Sequence, residues 1–91
     1  MKYYVAYFTR DKDILLYKEK DTGADWSSLR MEDTLEKLWE EIQSRKQLSD
    51  DEDTYPFSNY LKTYPDTVLL KEITSKEEFL NVKEDYPELF L

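Results

Sequence analysis

The chain has 91 residues, 40% of them apolar and 15% aromatic, with 13 Lys and Arg against 21 Asp and Glu for a formal net charge of −8. It contains neither cysteine nor histidine. This rules out disulfides, thiolate or imidazole metal ligands, and nucleophiles of the Cys–His or Ser–His–Asp kind. The apolar and aromatic content is enough to build a core rather than a disordered chain, and the length suits one small domain over residues 1–91.

Lys2 to Thr9 is dense in aromatic and β-branched residues and too short for a buried helix, so a strand is predicted. Tyr3, Val5 and Tyr7 share one face and Tyr4, Ala6 and Phe8 the other. Both faces are apolar, as in a strand covered on two sides or one that meets a partner. Arg10 to Asp13 has turn composition, and Ile14 to Lys20 reads as the return strand of a hairpin. Asp21 to Asp25 contains the only glycine, Gly23, and reads as loop, with Trp26 either folded back from it as a lid on the core, the commoner fate of a large ring, or exposed for binding.

From Asp33 to Leu48 the apolar residues Leu35, Leu38, Trp39 and Ile42 recur with helical spacing. Asp33 is the expected N-cap, with Glu36 as its capping-box partner. Arg45 and Lys46 suit the last turns, where cations complement the helix dipole. Ser49 to Thr54 is an acidic loop. Pro56 opens a short helix that places Phe57, Tyr60, Leu61 and Tyr64 on one side, and Pro65 ends it. Thr67 to Thr74 is a third strand, expected to pair with the first. Ser75 caps a second main helix through Glu78, with Phe79, Leu80 and Val82 inward, and residues 88–91 form a last apolar turn on the core. The expected class is α+β: a three-stranded, mainly antiparallel sheet in the order β-β-α-β-α, with helices packed on one face.

Charge is concentrated. Glu32 to Asp53 holds nine carboxylates and three cations, a net of −6. Such a field repels nucleic acid and anionic membrane and attracts basic protein surfaces. No segment approaches the roughly 18 apolar residues of a spanning helix. The N-terminal stretch lacks the pattern of a signal peptide. A cysteine-free domain fits the reducing cytoplasm.

Other chemistries are poorly supported. A single glycine excludes a phosphate-cradling loop. Neither Asp11 nor Asp51 opens a run with the glycine and glutamate that a calcium loop requires. Carboxylates are so dense that some pair will match a glycosidase spacing by chance. No cofactor, no metal and no catalytic residue is therefore expected.

The candidate site is the acidic segment with its neighbouring tyrosines: Glu36, Glu40, Glu41, Asp50, Asp51, Glu52, Asp53, Tyr55 and Tyr60. Helical geometry sets Glu36 and Glu40 one turn apart, about 6 Å along the axis. That spacing imitates a nucleic-acid backbone to a protein that binds one. Tyrosines beside it are apt interface anchors. In size, acidity and tyrosine content the acidic middle third resembles the small phage-encoded inhibitors that mimic DNA, anti-restriction and anti-CRISPR proteins among them, although no motif carries the likeness. The residues themselves point to a non-enzymatic protein, monomeric or homodimeric, that docks on a basic protein surface without touching nucleic acid; the resemblance implies an inhibitor that blocks a nucleic-acid-binding enzyme. The alternative is a small accessory or assembly domain that joins its partners through an apolar strand edge or its C-terminal tail, its acidic face serving only solubility.

Overall fold

The computed structural model describes residues 2–20, 23–44 and 56–90. Four strands form one antiparallel sheet in the order β3-β2-β1-β4: β1 (Lys2–Phe8), β2 (Asp13–Lys20), β3 (Gly23–Ser28) and β4 (Thr67–Ile73). The helices are α1 (Leu29–Glu32), α2 (Leu35–Ser44), α3 (Phe57–Thr63), α4 (Lys76–Leu80) and α5 (Val82–Asp85), followed by a 3-10 turn over Pro87–Phe90. The class is α+β, as the sequence indicates, but the sheet has four strands rather than three.

The additional strand is β3, in a stretch whose composition reads as loop. It earns its place by pairing. Trp26 lies opposite Tyr17, and Asp25 lies opposite Lys18. Apposition to β2 along its whole length, with Ala24, Asp25, Ser27 and Ser28 buried, holds a strand of poor intrinsic propensity.

The second correction concerns the layers. Helices cover both faces of the sheet, not one. On one face Tyr3, Val5, Ile14 and Leu16 pack with Leu35, Leu38 and Ile42 of α2, Ile73 of β4, Phe79 of α4 and Val82 of α5. On the other, Ala6, Leu15, Tyr17 and Ala24 pack with Phe57 and Tyr60 of α3. The alternation of β1 accounts for this directly, since successive residues point to opposite sides and both sets are apolar. The expected pairing of β1 with the last strand is also present, in the register Tyr3–Ile73 to Phe8–Thr67.

A bulge interrupts that pairing. Val5 faces Lys71 and Ala6 faces Leu69, so Leu70 has no partner on β1. The Tyr86 hydroxyl donates to the Leu70 carbonyl at 2.9 Å, and Lys71 Nζ reaches Asp85 Oδ2 at 2.9 Å. The C-terminal half of this edge strand is thus covered by the end of the chain.

Local signals read correctly in one case and incorrectly in another. Ser75 caps α4, its hydroxyl accepting from the Glu78 amide at 3.3 Å. Asp33 does not cap α2. It terminates α1 at φ 70 and ψ −34, in a tight turn closed by the Thr34 amide, which donates to the Glu32 carbonyl at 2.9 Å. The cap of α2 is Thr34, whose Oγ1 accepts from the Lys37 amide at 3.2 Å. Within the described residues α2 runs to Ser44, and the expected extension to Leu48 lies outside them.

Two cores make two independent tests. Leu38→Ala removes a fully buried side chain from the α2 face and should cost about 2–5 kcal/mol. Tyr60→Ala should cost about 3–5 kcal/mol on the α3 face. Each should lower the thermal midpoint by about 8 °C or more, followed by circular dichroism. A Tyr60→Ala protein that melts with the parent would show that α3 is not part of the fold's core.

Candidate functional site

The acidic candidates separate once they are placed on the fold. The inner face of α2 is fixed by Leu35, Leu38 and Ile42, all buried. Trp39 lies half-buried, its ring centroid 4.6 Å from that of Tyr3 and 5.9 Å from that of Phe79. With that stripe inward, Glu36 and Glu40 are exposed on the outer side of the helix. Glu40 Oε1 lies 3.8 Å from Lys76 Nζ, and both side chains are well exposed. A pair of this kind contributes about 0–1 kcal/mol and leaves the carboxylate accessible to a competing cation. Glu41 is half-buried and does not stand free. Asp50, Asp51, Glu52, Asp53 and Tyr55 lie outside the described residues.

Tyr60 does not join Glu36 and Glu40. It is 2% exposed, with ring contacts to Tyr17 at 5.1 Å, Phe57 at 5.8 Å and Tyr64 at 4.7 Å. It also sits on α3, across the sheet from α2, so helix acid and helix tyrosine face away from each other. The i, i+3 spacing of Phe57 and Tyr60 in a short helix already carried the signal of a core stripe. The start of α3 is held by β2, where Glu19 Oε2 accepts from the Phe57 amide at 3.2 Å.

Several features were not legible in the sequence. Met31, Tyr64, Val68 and Leu69 are exposed, the last three at 45%, 49% and 42% within one six-residue stretch. Beneath α2 runs a lateral row of polar groups. Gln43 Nε2 donates to the Tyr3 hydroxyl at 3.0 Å. Lys18 Nζ lies 5.7 Å from the centre of the Tyr3 ring, within cation–π range. Asp25, fully buried, follows across from Lys18.

Two open clefts accompany these groups. One, of 370 Å³, lies at the hairpin end and is lined by Phe8, Arg10, Tyr64, Pro65 and Thr67 among others. The other, of 430 Å³, lies between the start of α2 and the end of the chain. Among the described residues no three metal-capable side chains cluster, and no helix is long and apolar enough to cross a membrane.

No protein-family model matches the chain, and comparison with curated proteins and with solved structures gives no significant match.

The Tyr60 hydroxyl is pushed above its ordinary value of 10.0, chiefly by burial and then by the neighbouring Tyr64 and Tyr17. The folded state therefore favours the neutral phenol. That contribution is complete below the unfolded value near 10 and is lost as pH climbs through the folded one. Tyr60→Phe should flatten the decline of stability above about pH 10. Urea unfolding at neutral and alkaline pH checks this; identical declines in parent and variant would contradict it.

Proposed function

We propose that the protein is a non-enzymatic binding domain that docks on a basic protein surface through the outer face of α2 and the acidic segment that follows it in sequence. The observation that carries this reading is the pair Glu36 and Glu40, exposed one turn apart on a helix whose other side is locked into the core. The packed helix fixes the backbone from which both carboxylates project, so a partner has only their side chains to order. The surrounding net charge of −6 over Glu32 to Asp53 favours encounter with a cationic surface. A protein that binds nucleic acid offers such a surface, and carboxylates about 6 Å apart along a helix axis suit one shaped for phosphates. The partner is then a nucleic-acid-binding enzyme, and the effect of docking is to block it. This action needs no cofactor, and the cytoplasm is where such a partner would be met.

A second reading has an observation of its own. Val68 and Leu69 are exposed on the edge strand β4. The uncovered N-terminal half of that strand suits an accessory domain that joins an assembly through its sheet edge. The acid would then serve solubility alone.

Affinity capture from cell extract with the parent and with Glu36→Lys, Glu40→Lys separates the two. The docking reading expects a basic protein retained by the parent. Its association with the variant should be slower by about tenfold at low salt, with a weaker dependence on ionic strength. Equal rates for parent and variant would leave the edge of β4 as the better surface. The protein should not shift duplex DNA at physiological salt; tight, salt-sensitive binding to DNA would remove the charge argument.

A further inference from the structure

We infer that the cleft between the start of α2 and the C-terminal turn is a socket for one arginine side chain of the basic partner. This rests on the docking role proposed above and names the point at which that partner anchors. The cleft measures 430 Å³, at the small end of the range for ligand sites. Leu29, Leu35, Leu80, Leu89 and Phe90 contribute its apolar lining, with Leu35 buried and the others half-buried. Asp33, Glu36 and Lys83 are the charged residues that line it, and all three are exposed.

The charged groups are uncommitted. Glu40 is engaged by Lys76. Among the described residues the side chains of Asp33, Glu36 and Lys83 make no hydrogen bond or ion pair. Two carboxylates against one cation leave the cleft negative, over an apolar lining.

That combination selects its occupant. An arginine has an aliphatic stem that seeks apolar contact and a planar head with five donors that matches carboxylates in pairs. The stem would lie along the leucines and Phe90 while the head meets Asp33 and Glu36. A purely apolar side chain would desolvate both carboxylates without pairing them. An acidic one would be repelled. Lysine would supply a point charge but not the fork that engages two carboxylates together. Arginine is also among the residues that most often dominate binding energy at protein interfaces. Lys83 is the opposing influence, a resident cation beside the same carboxylates.

Titration of the 15N-labelled full chain with N-acetyl-arginine methylamide at low salt tests this by NMR. The neutral isostere citrulline and the stem-only norleucine, in the same blocked form, are the controls. The arginine compound should shift the amides of Leu29, Glu36, Leu89 and Phe90 saturably, at concentrations about tenfold lower than either control. Asp33→Asn with Glu36→Gln should weaken it by about tenfold, asparagine being tolerated at the positive φ of residue 33. Lys83→Met should tighten it by a few-fold. Equal binding of arginine and citrulline, shifts scattered over the acidic surface without saturation, or no shifts at all would each overturn the socket.

The two ideas fail separately. If Glu36→Lys, Glu40→Lys slows association with a basic partner while the arginine compound does not bind the cleft, the docking face stands and the socket falls. If the arginine compound binds as described while the reversal leaves association unchanged, the socket stands as an arginine site and the docking face falls.

Discussion

Strand β1 is apolar on both sides, and the other elements answer that constraint. Tyr3 and Val5 face α2, while Tyr4 and Ala6 face α3. A strand of this composition at an edge or on an open face would leave large rings in water, and each fully buried apolar side chain is worth about 1.5–3 kcal/mol. The sheet therefore holds β1 inside, between β2 and β4, with a layer of helix on each face. The fate of Tyr60 follows. Once the second face needs a cover, the aromatic side of α3 becomes that cover, and its tyrosine is spent on Tyr17 and Phe57 instead of on a partner.

The same architecture divides the acid into two kinds. Asp25 is fully buried opposite Lys18, in a row that continues to Tyr3 and Gln43. Charged residues in such a place belong to the packed interior and are not presented to a partner. Glu36 and Glu40 stand outside, and nothing in the packing of α2 requires them to be acidic. Carboxylates that the fold does not need are the ones available for recognition or for solubility. Net charge alone cannot separate a buried acid from an exposed one. The placement of each residue can.

Much of the fold was legible because periodicity reports burial. The alternation of residues 3–8 gave both faces of β1, the spacing of Leu35, Leu38 and Ile42 gave α2, and Ser75 with Glu78 gave the start of α4. What escaped lacks a local signal. β3 carries Gly23, Asp25, Ser27 and Ser28, and it is a strand because of what lies opposite it. The choice between Asp33 and Thr34 as cap turned on the short helix α1, which ends at Asp33. Of the candidate site, the outward placement of Glu36 and Glu40 follows from the helical stripe alone. The separation of Tyr60 from them was not legible, since it needs the knowledge that α2 and α3 lie on opposite sides of a sheet. The cleft beside Glu36 is built from Leu29, Leu80 and Phe90, distant segments whose meeting no linear pattern encodes.

The pairing of β1 with β4 has a consequence for how the molecule is made. β1, β2 and β3 follow one another as a meander and can assemble from neighbouring sequence, whereas the partner on the other edge of β1 lies ~60 to 70 residues further along. Contacts of that separation form late and slowly. Until β4 arrives, the most apolar strand of the protein has an open hydrogen-bonding edge, the condition under which nascent chains join one another. A chain with a formal charge of −8 repels its own copies during that interval. Net charge thereby opposes self-association of the incompletely folded chain.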